Sequence, residues 1–256
     1  MDPDFEIILK RFFKLALPAA ALWAWWKRFS GLPLRVGASD AALAGAGFLA
    51  CIAAESIGPV RFGFPNVIRR IPASLAYRCI ALTFDDSPHP ETTPRILDAL
   101  RDANARATFF VLLENVVKWP ELALRIAAEG HTIATGGIDT QSMARCRSGQ
   151  IQHALKMMRR EAGPSLPEIR LFRPTDGRVS RSIRHAADLM GMTIVTWSVD
   201  SGDSKRARPD EIASRIVKSI RHGAIVRLVD GSDSTVSVLP TILKRLHGRG
   251  YHLIRL

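Results

Sequence analysis

The residues of this chain best suited to chemistry are aspartates placed where short apolar runs stop. Asp85 and Asp86 follow CIALTF (79–84), and Arg173 and Asp176 follow IRLF (169–172). Asp200 and Asp203 follow MTIVTWSV (192–199), and Asp230 follows AIVRLV (224–229). Carboxylates brought together from separate strands can hold a hard cation through oxygen or exchange protons with a substrate. A single aspartate in such a place has a simpler use, because it can cap the next helix. The adjacent pair Asp85–Asp86 fits that use poorly, since neighbouring carboxylates repel unless a cation or an arginine compensates them.

The elements that must position these groups recur from about residue 76. Besides the four runs above, strands are expected at ATFFVLL (107–113), HTIAT (131–135) and YHLIRL (251–256). Helical patterns fall between them at 93–103, 120–129, 209–220 and 238–246, with Pro94, Pro120 and Pro209 near helix starts, where proline is tolerated. Repeated βα units imply a parallel sheet covered by helices. Seven of them point to a closed or nearly closed βα barrel, with an open doubly wound sheet as the alternative. In a barrel the reactive groups collect at the C-terminal strand ends, where these aspartates stand. No glycine-rich phosphate-binding motif follows the first strand, which weighs against a nucleotide enzyme.

The chain has 256 residues, 47% hydrophobic and 23% charged, with a mean hydropathy of +0.05. That is too apolar for disorder, and long enough for one large domain or two small ones. Cys51, Cys79 and Cys146 are scattered, so neither a disulfide scaffold nor a thiolate zinc site is expected. The net charge of +12 favours anionic partners: lipid headgroups, nucleic acid or acidic glycans. It is spread along the chain, +4 over residues 1–75 and +8 over 76–256. No recognition motif accompanies it, so nucleic acid is not an expected partner.

Residues 1–75 have their own character. Trp23, Trp25 and Trp26 lie in LALPAAALWAWW (15–26), bracketed by Lys10, Arg11 and Lys14 before and Lys27 and Arg28 after. A second apolar run, AALAGAGFLACIAA, covers 41–54. Both are shorter than the roughly 20 residues that cross a bilayer squarely. Tryptophan with basic flanks suits a membrane interface, and buried helices of a soluble extension are the competing reading. The expected location is the membrane or cell envelope, with the cytoplasm as the alternative.

TFDDSPHPETTPRILDAL (83–100) resembles the first motif of the polysaccharide deacetylases, the NodB-homology group of carbohydrate esterase family 4. The likeness continues in order through RATFF (106–110), PELALRIAAEGHTI (120–133), FRPTDG (172–177), WSVDSGD (197–203), GAIVRLVDG (223–231) and LPTILKRLHGRGYHLIRL (239–256). It implies an α/β fold, a distorted seven- or eight-stranded βα barrel over 76–256, preceded by the apolar helical extension of 1–75. It also implies removal of N-acetyl groups from amino sugars in chitin, peptidoglycan or similar glycans. In that family one Asp and two His hold a divalent metal, usually zinc, that activates a water. A neighbouring Asp acts as base and a later His protonates the leaving amine.

Carried over by position, Asp85 is the base, Asp86 the metal-binding aspartate, Arg173 the arginine that steadies the base, and Asp200 an aspartate of the fourth motif. Ser204 stands where that motif has tryptophan. Pro174 and Asp176 are the substrate-binding candidates, although Thr175 and Asp176 replace the usual Pro-Tyr of that segment. The histidines are missing: Gly136 and Thr140 occupy the two metal-ligand positions and Val229 the general-acid position, while His131 matches an earlier, non-ligand histidine. Glycine and valine offer no ligand atom, and a threonine hydroxyl is a poor zinc ligand. Losing a general acid alone costs a factor of about 10²–10⁴. The expectation is an impaired or inactive glycan-binding homologue without a cofactor, whose partners are an amino-sugar glycan or cell-wall polymer and an anionic membrane surface. The alternative is an active hydrolase with altered metal ligation, in which Asp139, Asp176, Asp203 and Asp230 join Asp86 in an oxygen-only site.

Overall fold

A computed structural model of the chain describes residues 67–72, 78–203 and 208–256. The apolar runs at 15–26 and 41–54, Cys51 and Ser204 lie outside the described residues, and with them the expected membrane-facing segment. No helix among the described residues is long and apolar enough to cross a membrane.

Nine strands are described: β1 (Val67–Ile68), β2 (Cys79–Ser87), β3 (Thr108–Leu112), β4 (Thr132–Gly137), β5 (Leu171–Phe172), β6 (Thr193–Val195), β7 (Val199–Asp200), β8 (Ala224–Val229) and β9 (His252–Ile254). Seven helices accompany them: α1 (Thr93–Asp102), α2 (Leu113–Lys118), α3 (Pro120–Ala128), α4 (Ser148–Ala162), α5 (Arg181–Leu189), α6 (Pro209–Ser219) and α7 (Asp233–Gly248). The sheet runs β1-β6-β5-β4-β3-β2-β8-β7, and β9 pairs with the first third of β2. Every strand pairing is parallel.

The sheet curls into a distorted barrel because its two edges are bridged. Near one end the Ile71 N–H donates to the Gly223 carbonyl at 2.8 Å, beside an isolated Arg70–Ala224 bridge. Near the other end the chain itself crosses the seam. The Thr196 N–H donates to Ile68 at 2.8 Å and the Ser198 N–H to Ile225 at 3.0 Å. This crossing divides the single strand expected over 192–199 into β6, which pairs with β1, and β7, which pairs with β8. The sheet also takes up β1, upstream of residue 76.

Alternation along each strand sorts the core. On β2, Ile80, Leu82 and Phe84 face the helices, where α1 contributes Ile96, Leu97 and Leu100. Ala81 faces the interior with Phe110, Ala134, Val195 and Ile225, and these side chains plug the barrel. Pro94, Pro120 and Pro209 sit in the first turns of α1, α3 and α6, where a missing N–H costs nothing. The last helix begins at Asp233, five residues before its expected start, because the Ser232 hydroxyl caps the Thr235 N–H. Every strand thereby delivers its C-terminal residues to one mouth.

Candidate functional site

Above the apolar plug the inward positions turn polar. On β2 the interior series after Ala81 is Thr83 and Asp85. The ladder to β3 then slips between Asp85 and Ser87, and Asp86 takes a left-handed backbone (φ 63°), which aspartate tolerates better than most residues. This bulge sets two consecutive carboxylates at the mouth. The Asn115 side chain of α2 fixes it by donating to the Asp86 carbonyl at 2.8 Å.

Arg173, directly after β5, runs into the barrel and is 1% exposed. Its Nη1 donates to Asp85 Oδ1 and Thr83 Oγ1, both at 2.7 Å, and its Nε donates to the Val195 carbonyl at 3.0 Å. Its Nη2 reaches the Thr196 carbonyl at 3.3 Å, and the guanidinium lies 3.8 Å from the Phe110 ring centroid. Burial pulls its pKa down and Asp85 opposes that pull. A guanidinium so paired remains charged.

The second oxygen of Asp85 is also taken. Arg227 of β8 has the same strand parity as Ile225 and therefore points inward; its Nε donates to Asp85 Oδ2 at 2.7 Å. Its Nη1 lies 3.5 Å from Asp200, and its guanidinium packs 4.8 Å from the Trp197 centroid. Burial disfavours the charge on Arg227, but Asp85, Asp200 and Asp203 together raise its pKa. Sequence reasoning passed over this residue. The signal was a single charge inside an otherwise apolar parallel strand, AIVRLV, two positions from Val229.

Asp86 is different. Its carboxylate has no hydrogen-bond donor among the described residues. Its pKa rises from 3.8 to about 6, through burial first and then repulsion from Asp85, against the pull of Arg227. Asp200 lies at the rim with its side chain 45% exposed, its Oδ1 accepting from the Gly202 N–H at 2.8 Å. Asp203 is the buried member of that motif. Its Oδ2 accepts from the Val229 N–H at 2.7 Å and the Thr235 hydroxyl at 2.6 Å, while its buried Oδ1 has no partner. Asp230 receives the hydroxyls of Thr92 and Thr93, each at 2.5 Å, and ties β8 to the start of α1. Burial raises its pKa.

The remaining candidates scatter. Gly136 is buried in β4, Thr140 lies exposed in the loop beyond it, and Val229 ends β8. Pro174 is buried in the turn closed by the Gly177 N–H on its carbonyl, at 2.8 Å. Asp176 accepts from the Ser142 hydroxyl and, at 3.0 Å, from the Arg178 N–H. Asp139 accepts from the Gln141 N–H at 2.8 Å, a local turn. His131 is structural: its Nδ1 accepts from the Ala107 N–H at 3.2 Å, its ring meets Phe109 edge-on, and burial lowers its pKa to about 4.

The residues present do not fit a zinc site of one carboxylate and two imidazoles. A Cβ placed on Gly136 would meet Leu112 Cδ2 at 3.1 Å, so the position offers a side chain little room. The oxygen-only site is not assembled either: Asp139 closes a local turn, Asp176 is taken by Ser142 and the Arg178 N–H, and Asp230 by Thr92 and Thr93. Among the described residues no three His, Cys, Asp or Glu side chains gather as a metal-holding group.

The chain shares its sequence pattern and its fold with known proteins. The sequence model described as Polysaccharide deacetylase matches residues 74–195. A chitooligosaccharide deacetylase of Bradyrhizobium sp. (strain ANU 289) is 32% identical over 192 residues, 69% of this chain and 88% of the relative. The chain belongs to the polysaccharide deacetylase family. Two solved structures show the same fold. A peptidoglycan N-acetylglucosamine deacetylase superposes with a TM-score of 0.71 at 28% identity, covering 75% of this chain and 91% of that one. A family 4 pseudoenzyme from Bacillus anthracis superposes with a TM-score of 0.69 at 27% identity, covering 74% and 67%. A variant of that pseudoenzyme with restored enzymatic activity matches equally well, with a TM-score of 0.69. Polysaccharide deacetylases of this group are generally metal-dependent. This chain carries Asp86 and an arginine-clamped Asp85 at the mouth of its barrel.

Proposed function

We propose that this polysaccharide deacetylase homologue binds amino-sugar glycan at the barrel mouth and is impaired in deacetylation. The observation that carries the reading is the state of Asp85. Arg173 holds the Asp85 Oδ1 at 2.7 Å, and Oδ2 is taken at 2.7 Å by a second guanidinium, Arg227, with which a nucleophilic water would have to compete. The three positions of the family's imidazoles, Gly136, Thr140 and Val229, supply no ligand and no proton donor. Relatives named as chitooligosaccharide and peptidoglycan deacetylases support an amino-sugar glycan as the ligand. The basic surface and the tryptophan-rich runs with basic flanks support a place at the cell envelope, against anionic lipid or polymer.

The test is calorimetric binding of chitotetraose together with release of acetate from chitooligosaccharide and peptidoglycan, with zinc, manganese or magnesium supplied. Binding with acetate release at the background rate is expected. Turnover that Asp85→Asn abolishes would overturn the reading and favour an active hydrolase with altered metal ligation.

A further inference from the structure

Beside the mouth, and sharing Thr196 and Trp197 with it, lies a cavity of about 380 Å³ that the site chemistry does not use. Its lining brings together Arg69, which follows β1, Arg178 from the loop after β5, and Arg184 from α5. These cations are poorly compensated. The guanidinium groups of Arg69 and Arg184 make no hydrogen bond or ion pair among the described residues. The Arg178 side chain, 76% exposed, has among the described residues only Asp176, at 3.7 Å. Asp176 is itself occupied by the Ser142 hydroxyl and the Arg178 N–H, leaving the lining with an excess of positive charge. Like charges gathered around a concavity repel unless an anion joins them, and guanidinium forks bind carboxylate and phosphate oxygens through paired hydrogen bonds. Arg178 and Val179 lead into α5, whose first turn carries no acidic residue to occupy the positive end of its dipole.

The cavity also has an aromatic wall. Gly177 takes a left-handed backbone (φ 70°) and packs against the Trp197 indole, where a Cβ would stand 2.4 Å from Cη2. The loop thus closes on the indole edge only because residue 177 has no side chain. An indole next to guanidinium groups matches a sugar, whose C–H face packs on the ring while an acidic substituent meets the cations.

We propose that this cavity binds an anionic sugar, its ring against Trp197 and its carboxylate or phosphate among Arg69, Arg178 and Arg184. The glycan part rests on the function proposed above; the anion part rests on the cavity alone. An acidic amino-sugar polymer would then lie across the mouth with one charged unit anchored beside it.

The experiment is calorimetry on the full chain with hyaluronan tetrasaccharide, chitotetraose, inorganic phosphate and acetate, repeated with Arg184→Ala and Arg69→Ala. Both variants change exposed side chains that have no partner among the described residues, so folding is expected to be preserved, which circular dichroism checks. Hyaluronan tetrasaccharide is expected to bind at least about tenfold more tightly than chitotetraose, an advantage that either variant removes while chitotetraose affinity is kept. Phosphate against acetate reports which anionic group the cavity prefers. If neither oligosaccharide binds but phosphate does, and Arg184→Ala abolishes it, the anion cavity stands and the glycan reading of the mouth falls. Equal affinity for the two oligosaccharides, or variants that change nothing, overturns the cavity proposal. Absence of all binding overturns both.

Discussion

Arg227 Nε donates to Asp85 Oδ2 at 2.7 Å across the β2–β8 ladder, opposite the oxygen already held by Arg173. The repulsion between Asp85 and Asp86 is thus answered from within the chain by two guanidinium groups. One of them, Arg173, is entombed, whereas Arg227 is 13% exposed and opens to the mouth. The two pairs therefore differ in what their loss costs.

Arg173→Leu should destabilise the fold by about 4 kcal/mol, because Asp85 Oδ1 and the Val195 and Thr196 carbonyls all lose their buried donor together, although Arg227 still holds Asp85 Oδ2. Arg227→Leu should cost only about 2 kcal/mol, since Asp85 keeps Arg173 and water can reach the freed oxygen. Urea denaturation of both variants measures the difference. Equal losses would mean that Arg173 does not bear the burial asymmetry seen in the structure.

Two groups, the half-buried Asp86 and the buried His131, should tilt the pH dependence of stability in opposite directions. Asp86 has a folded pKa of about 6 against 3.8, so between those values the folded state holds the extra proton. Its contribution to stability therefore falls as pH rises through 4–6. His131 has a folded pKa of about 4 against 6.5, so the unfolded state holds the extra proton, and stability is lost as pH falls from 6.5 to 4. Asp86→Asn should stabilise the protein at pH 7 by about 2 kcal/mol and steepen its loss of stability on acidification. Chemical denaturation at pH 4, 5, 6 and 7 checks this. A variant curve parallel to the parent's would contradict the assignment to Asp86.

Restoring the three imidazoles should not by itself restore tight zinc binding. With Gly136→His, Thr140→His and Val229→His together, the first new side chain meets Leu112 at its Cβ, and Arg227 remains a cation beside Asp86. Adding Leu112→Ala and Arg227→Leu should raise zinc affinity at least about tenfold. Competition with a chromogenic chelator reads this directly. The Val229 N–H already donates to Asp203 Oδ2, so if the imidazole of Val229→His pairs with the neighbouring Oδ1 it should titrate above 6.5 by NMR.

Gly177→Ala should displace the Trp197 indole, since the new methyl cannot stand 2.4 Å from the ring and alanine is strained at φ 70°. A stability loss of about 2 kcal/mol is expected. A changed near-ultraviolet circular dichroism signal from tryptophan should accompany it. An unchanged spectrum would mean that the loop does not close on the indole.

Much of this was legible beforehand for a simple reason. Parallel strands buried on both faces read as apolar runs, and β2, β3, β4 and β8 stand within a few residues of their expected limits. The division of 192–199 was not legible, because an apolar strand gives no sign that its two halves pair with opposite edges of a sheet. Asp200 and Asp203 look equivalent as letters. Only the seam crossing leaves Asp200 at the rim and buries Asp203 beneath Val229.

By itself the chain's sequence determined the family, the βα order, the carboxylates at the strand ends and the missing imidazoles, because those follow from local pattern and residue type. Tertiary structure alone decided that Asp85 is clamped between two arginines, that Asp139, Asp176, Asp203 and Asp230 are taken by other partners, and that Arg69, Arg178 and Arg184 line one cavity with Trp197. Strand parity aims a side chain inward, but which side chains meet inside a barrel depends on register and curl. Those are set by contacts between residues up to 142 positions apart, the separation of Asp85 and Arg227.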